Sequence, residues 1–347
     1  MTRPAPGREG PAVRVLGRAK INLFLSVVGR RPDGYHDLEM VMQALDLADE
    51  LTMTPAPETT VAFRWADGLY GEEPVRPDLV ERAVERYRRR AGGPGAGVDV
   101  LKRIPLASGM AGGSADAAAA LMGMDALTGG MLASELSEIA AALGSDVPFA
   151  LAGGTCIARG RGERLEPVAC PACLWWVLGI SEFGISTPEV FHRHGVLRPR
   201  NAVNPEVPPQ VPSIPGGGDD RAHVRRRRRE EGFERGDQGD QGDQRRLDEL
   251  LGALAAGKPE HVAPLLLNGL APAARDVEPR LGQLEEAMRA AGVLGSVVSG
   301  SGPTVAGLCR DEAHAYRVAA RAAPAFGRVE VAASARAGAE VVARPLA

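Results

Sequence analysis

Val98-Asp-Val-Leu-Lys-Arg-Ile104, then Pro105-Leu-Ala-Ser-Gly-Met-Ala-Gly-Gly-Ser114, then Ala115-Asp-Ala-Ala-Ala-Ala-Leu-Met-Gly-Met-Asp-Ala-Leu127 is the stretch that decides the fold. The first segment is rich in valine and isoleucine and reads as a strand ending at Pro105. The last is alanine, leucine and methionine, all good helix formers, and reads as a helix. Gly109 to Ser114 joins them. A helix start carries free backbone N–H groups and a positive dipole end. Glycines let that backbone approach an anion closely, so the loop is a candidate phosphate cradle. A tight strand-to-helix connection would give the same pattern. The Walker order Gly-Lys-Ser/Thr, the dinucleotide pattern GxGxxG and the protein-kinase signatures are all missing. A nucleotide here would be held by another kind of loop.

Working outward, Val13 to Leu16 and Ile21 to Val28 read as strands on either side of Gly17 to Lys20. Arg30-Arg-Pro-Asp-Gly34 is turn chemistry,. Leu38 to Leu47 leads into a further strand at Leu51 to Thr54, and Asp78 to Arg90 has helical spacing,. Ser134 to Leu143 predicts a helix with Ser134 as its N-cap, broken by Gly144-Ser-Asp-Val-Pro148,. Thr155 to Ala158 and Leu174 to Ile180 are strand-like. Leu247 to Ala256, His261 to Leu267 and Pro279 to Ala291 predict amphipathic helices. Val293 to Ser299 and Thr304 to Cys309 predict strands flanking Gly300-Ser-Gly-Pro303, followed by a helix at Ala313 to Ala322 and a strand at Val329 to Ala333. Strand, turn, strand and helix in that order predict an α+β sandwich for the second half.

The 347 residues favour two domains, which we place at 1–165 and 166–347,. With 44% hydrophobic and 24% charged residues, the chain can build an ordinary globular core,. A net charge of −3 makes no case for nucleic-acid binding. The first twenty residues hold no apolar signal segment, and no apolar run approaches the ~20 residues that span a bilayer. A cytoplasmic protein without membrane contact is expected, as a monomer or homodimer. Cys170 and Cys173 form one CxxC pair with no second pair to complete a zinc site, so reduced thiols are the plainer reading. Residues 1–12 read as a frayed tail. Residues 206–244 carry a Pro/Gly-rich stretch, five consecutive arginines (Arg225 to Arg229) and a Gly-Asp-Gln repeat, and are expected to be a disordered insertion,. The flanking acids offset the arginines and no aromatics interleave for base stacking, which argues against RNA.

Two more segments carry chemistry: Lys20-Ile-Asn-Leu-Phe24 with Asp33-Gly-Tyr-His36, and Gly144-Ser-Asp-Val-Pro148. Phosphoryl transfer to an alcohol needs a held triphosphate, a positioned hydroxyl and an acceptor for its proton. Asp146 fits the base, and Lys20 fits the cation that keeps it ionised. A capping aspartate and a snorkelling lysine would fit the same residues.

Lys20 to Leu25 with Arg31 to His36, Pro105 to Ala118, Leu143 to Pro148 and Ser299-Gly-Ser-Gly-Pro-Thr304 together resemble, in order, the motifs of the GHMP small-molecule kinase superfamily. The likeness runs from Val13 to Leu308, interrupted by the insertion. It implies an α+β, two-domain fold, with an N-terminal ATP-binding domain, a ferredoxin-like C-terminal domain and a site between them. It implies ATP as co-substrate, with Mg²⁺, and a small-molecule substrate. Asp146 would be the base and Lys20 its partner. Lys102 would lie near the adenine, and Pro105, Leu106, Ala107, Ser108, Gly109, Met110, Ala111, Gly112, Gly113 and Ser114 would wrap the ATP. Ser114 is the candidate metal ligand. The motifs resemble most the branch acting on a polyol that bears a diphosphocytidyl group. For that branch Asn22, Thr187, Gly300, Ser301 and Gly302 would meet the substrate, and Tyr35, His36 and Phe191 would hold its cytosine. Homoserine, mevalonate or a sugar are the alternative acceptors, and a nucleotide-binding protein without catalysis is the alternative class. Met110 and Ala111 stand where relatives have a fuller glycine run, and Asn268-Gly269 where they often have Asn-Asp.

Overall fold

The computed structural model describes residues 12–31, 35–66, 78–197 and 239–343. The tail up to residue 11, Pro32 to Gly34, and the expected insertion as far as residue 238, the arginine run included, lie outside the described residues. Two long strands organise the first layer. β1 (Val13–Arg30) and β2 (His36–Ala56) pair antiparallel from Val13 opposite Met53 to Arg30 opposite His36. The runs expected as separate strands within each are therefore continuous. A register shift at Arg18/Lys20, where the β2 partner passes from Ala48 to Ala44, falls at the expected breaks in both strands, and two more follow at Asn22/Phe24 and Val27/Gly29. Each bulge resets the two-residue alternation and re-aims the side chains beyond it.

The sheet runs β12-β1-β2-β4-β3, where β3 is Thr60–Trp65, β4 is Gly95–Lys102 and β12 is Glu340–Ala343. β5 (Thr155–Gly160) pairs with β2, and β6 (Arg164–Pro167) with β5. Helices α1 (Leu79–Ala91), α2 (Gly112–Thr128), α3 (Ala133–Leu143) and α4 (Val147–Ala152) share a core with this sheet. Asp78 caps α1 in a reciprocal capping box with Glu81,. The buried alanines of α2 let it lie close to the strands. A Cβ on Gly17 would fall 2.5 Å from the carbonyl oxygen of Ala115, so strand and helix meet backbone to backbone there. α3 is capped at Leu132, two residues before the expected Ser134, because the Glu135 carboxylate accepts from the Leu132 N–H at 3.2 Å and closes the helix start there.

The second layer is an antiparallel sheet in the order β11-β7-β10-β9, with β7 at Trp175–Ile180, β9 at Gly295–Val298, β10 at Val305–Cys309 and β11 at Arg328–Ala333. Between β7 and β9 run α5 (Thr187–Leu197), α6 (Gly239–Ala256), α7 (Pro259–Val262), a 3₁₀ turn (Ala263–Leu265), β8 (Leu267–Asn268), α8 (Ala271–Val277) and α9 (Arg280–Ala290). α10 (Glu312–Ala322) precedes β11. Strand, helix, hairpin, helix, strand in this order is the ferredoxin-like arrangement.

His261 to Leu267 is not one helix. The α-turn stops at Val262, tightens to 3₁₀ around Pro264, and the chain then extends so that Leu267 and Asn268 pair in parallel with Phe24 and Leu25. α6 already includes residues 239–244, the end of the Gly-Asp-Gln repeat, and Ser26 Oγ bonds Asp243 at 2.7 Å. The two layers are joined in the core. Trp176, fully buried, donates from Nε1 to Gln43 Oε1 at 2.8 Å, and Ala335 N–H donates to the Ala44 carbonyl at 2.8 Å.

Candidate active site

A cleft of about 1270 Å³ opens between the layers, lined by β1, the Pro105–Gly113 loop, the start of α4 and α5. Its geometry follows from where glycines allow backbones to meet. Gly109 has φ 76°, and a Cβ there would clash with the Ser299 carbonyl oxygen and lie 2.8 Å from that of Gly302. The first glycine loop thus rests directly on the second. The Gly109 carbonyl accepts from Lys20 Nζ at 3.0 Å and from Ser299 Oγ at 3.1 Å.

α2 begins at Gly112 with no side-chain cap and no acidic residue in its first turn. Its first intrahelical bond, Ala115 N–H to the Ala111 carbonyl, leaves the N–H groups of Gly112, Gly113 and Ser114 without intrahelical partners, as an anion site requires,. Ala107 and Ala111 hold φ of 50° and 59°, a left-handed conformation that costs roughly 1–2 kcal/mol per non-glycine residue,.

Lys20 is 6% exposed. Its Nζ donates to Asn22 Oδ1 at 2.8 Å and lies 3.9 Å from Asp146 Oδ2. Burial pulls its pKa below the ordinary lysine value, and Asp146 opposes that pull,. Asp146 stands at the N-cap position of α4 but makes no capping bond with its side chain. The plain reading of this aspartate as a helix cap therefore fails, and its carboxylate faces the cleft beside Lys20.

On the other wall, Thr187 Oγ1 and Ser301 Oγ are 2.7 Å apart. The rings of His36 and Phe191 stack at 5.0 Å with an interplanar angle of 26°. Tyr35 is largely exposed, and the Arg161 guanidinium lies 5.2 Å from its ring centre. Behind Ser301, buried Asn268 donates to the carbonyls of Val298 and Gly300, both at 2.7 Å, and accepts from Leu270 N–H at 2.8 Å. It ties the second glycine loop to β8. A Cβ at Gly269 would lie 3.1 Å from the Leu25 carbonyl oxygen, so a larger residue requires a small shift there.

Lys20, Asn22, Tyr35, His36, Pro105, Leu106, Ala107, Ser108, Gly109, Ala111, Gly112, Gly113, Asp146, Thr187, Phe191, Gly300 and Ser301 all line the cleft. Four expected residues do not. Met110 turns into the core, where its carbonyl accepts from Lys20 N–H at 3.2 Å. Gly302 packs against Val298 and Ile185. Ser114 sits in the first turn of α2, outside the lining. Lys102, expected at the adenine, is 1% exposed and held beneath the loop by Asp49 and by Asp116, the latter at 2.5 Å. Asp49 also accepts from the backbone of Arg103 and Ile104 at 2.5 and 2.8 Å. Burial works against the Lys102 charge, but Asp116 and Asp49 outweigh it and raise its pKa. Two carboxylates share one ammonium, and burial together with Asp49 pushes Asp116 well above the carboxylate range. Arg161 carried little signal in the sequence, an arginine between two glycines among the neighbouring charges Arg159, Glu163 and Arg164.

Among the described residues Asp146 is the sole acidic one lining the cleft, and no three His, Cys, Asp or Glu gather to hold a metal. That suits a divalent cation carried in on nucleotide phosphates, since Mg²⁺ is commonly held by phosphates, waters and one or two protein ligands. Among the described residues no helix is long and apolar enough to cross a membrane.

The chain matches the GHMP kinases N terminal domain over residues 78–154 and the GHMP kinases C terminal over 241–328. A 4-diphosphocytidyl-2-C-methyl-D-erythritol kinase from Nocardia farcinica (strain IFM 10152) is 42% identical to it, over 90% of each protein. One from Pelotomaculum thermopropionicum is 40% identical, over 89% of this chain and 93% of that protein. A crystal structure of 4-(cytidine 5'-diphospho)-2C-methyl-D-erythritol kinase superposes with a TM-score of 0.66 at 31% identity, covering 93% of this chain and 99% of the other. L. major mevalonate kinase, solved with R-mevalonate, superposes at 0.64 with 15% identity, a likeness of fold alone.

Proposed function

The chain belongs to the GHMP kinases, among the 4-diphosphocytidyl-2-C-methyl-D-erythritol kinases, and from that premise we propose that it moves the γ-phosphoryl group of ATP to the 2-hydroxyl of 4-diphosphocytidyl-2-C-methyl-D-erythritol. This is a step of the methylerythritol phosphate route to isoprenoid precursors. The observation that carries the reading is Asp146, uncapped and beside buried Lys20, at the junction of the two glycine loops.

ATP binds with its phosphates on Gly109 to Ser114, where the free N–H groups of α2 meet the anion. Asp146 takes the proton of the attacking hydroxyl as the new O–P bond forms, and ADP leaves with the electrons of the broken bond. Lys20 keeps Asp146 ionised and draws charge from the transferring oxygens. Asn22 and the Gly109 carbonyl fix its Nζ, so little reorganisation is needed during the reaction. Mg²⁺, arriving with the nucleotide, would supply neutralisation of the phosphate charge, and Ser114, in the first turn of α2 beside the cleft lining, is the candidate residue that would hold it,. Asn22, Thr187, Gly300 and Ser301 position the polyol; Tyr35, His36 and Phe191 grip the cytosine by stacking and hydrogen bonds. Lys102 and Gly302 act from behind the wall by fixing the two loops. Of the two domains, 1–165 carries the ATP loop and 166–347 the second glycine loop, with β12 returning to the first sheet.

The test is a substrate panel followed by phosphorus NMR of the product. Turnover with the diphosphocytidyl substrate, giving a new phosphomonoester on the polyol and none with homoserine, mevalonate or galactose, is expected. Turnover with one of those three instead would overturn the substrate.

A further inference from the structure

Arg161 sits at the tip of the β5–β6 hairpin and lines the cleft. The tip is tightly built. Gly160 and Gly162 hold φ of 76° and 119°, and the Glu163 carboxylate accepts from the Arg161 N–H at 2.7 Å. A Cβ at Gly162 would lie 3.2 Å from Met40 Cε and 3.4 Å from the carbonyl oxygen of Ser145, so the tip presses on the residue before Asp146. On its other side the guanidinium lies over the Tyr35 ring. Arg161 therefore stands between the aromatic residues assigned to the base and the segment that carries the reacting carboxylate.

Among the described residues no carboxylate pairs with the Arg161 guanidinium. Among the described residues the cleft's other lysine or arginine is Lys20, already committed to Asn22, Gly109 and Asp146. In a diphosphocytidyl polyol the diphosphate lies between the cytidine and the polyol. Its negative charges must come to rest between the base-gripping aromatics and the reacting hydroxyl, where Arg161 is the one uncommitted cation among the described residues. A guanidinium presents a planar fork of N–H donors that matches phosphate oxygens. Resting on the substrate reading above, we propose that Arg161 is the specificity-determining residue that reads the substrate's diphosphate. Its stacking over Tyr35 holds the fork in place before the substrate arrives.

The experiment compares inhibition of turnover by CDP and by cytidine in the wild type, Arg161→Gln and Arg161→Lys. In the wild type CDP is expected to compete about 10- to 100-fold better than cytidine, as for hydrogen bonds to a charged group. In Arg161→Gln that preference collapses towards one and the substrate KM rises by a similar factor, while the ATP KM and kcat hold. Arg161→Lys falls between, keeping the charge without the fork. A wild-type CDP preference in Arg161→Gln would overturn the proposal. Failure of both compounds to compete in the wild type would overturn the substrate reading itself, and the role of Arg161 with it.

Discussion

Lys20 is one of only three lysines in the chain, and its surroundings oppose its charge. Moving an ammonium out of water costs on the order of several kcal/mol, offset only where partners are well placed. Asn22, the Gly109 carbonyl and Asp146 supply that offset. Lys102 is the opposite case, equally buried but between two carboxylates. The third, Lys258, is exposed. Lysine-selective labelling therefore gives three resonances with distinct fates. Lys20 is expected to lose its proton below the ordinary value of 10.5, and Lys102 to keep its proton above 10.5. Because Asp146 raises the Lys20 value, Asp146→Asn lowers it further. In the proposed mechanism the cation is the active form, so activity is expected to fall on the alkaline side as Lys20 titrates. A Lys20 resonance titrating at or above 10.5 would contradict this account.

The two glycine loops work because they touch, and Gly109 is where they do. Gly109→Ala drives a Cβ into two carbonyl oxygens from a positive φ, so turnover is expected to fall at least 100-fold, with a loss of several kcal/mol in denaturant unfolding,. Ala111 offers the contrary change. Its φ of 59° is one glycine takes freely, so Ala111→Gly should raise stability by about 1 kcal/mol without harming turnover,. Destabilisation in Ala111→Gly would show that the loop is not strained there. Both loops were legible as sequence, because glycines next to a helix former or between strands leave few other readings. The bulges of β1 were not, since each shifts the alternation that marks a strand. Nor was the place of Lys102: the resemblance implied a position near the adenine, and only the third dimension brings Asp49, from β2, beneath it. α5 was missed because its first turn, Thr187-Pro188-Glu189, reads as a substrate segment, although proline is well suited to a helix start,.

At the scale of the molecule, the proposed mechanism draws on both layers at once. β1 supplies Lys20 and Asn22, Asp146 stands at the N-cap position of α4, and Ser301 and Thr187 come from beyond residue 166. The shared core around Trp176 and Gln43, and the return of β12 to β1, keep these groups in one frame. Small errors in that frame are costly, since misplacement by about 1 Å can remove roughly 100-fold in rate. The central claim is that Asp146 takes the proton from the substrate hydroxyl. It is tested most directly by single-turnover phosphoryl transfer in wild type and Asp146→Asn, with ATP and substrate saturating. Asp146→Asn is expected to bind both ligands within a few-fold of wild type but to transfer phosphoryl at least 100-fold more slowly. Transfer at the wild-type rate in Asp146→Asn would contradict it.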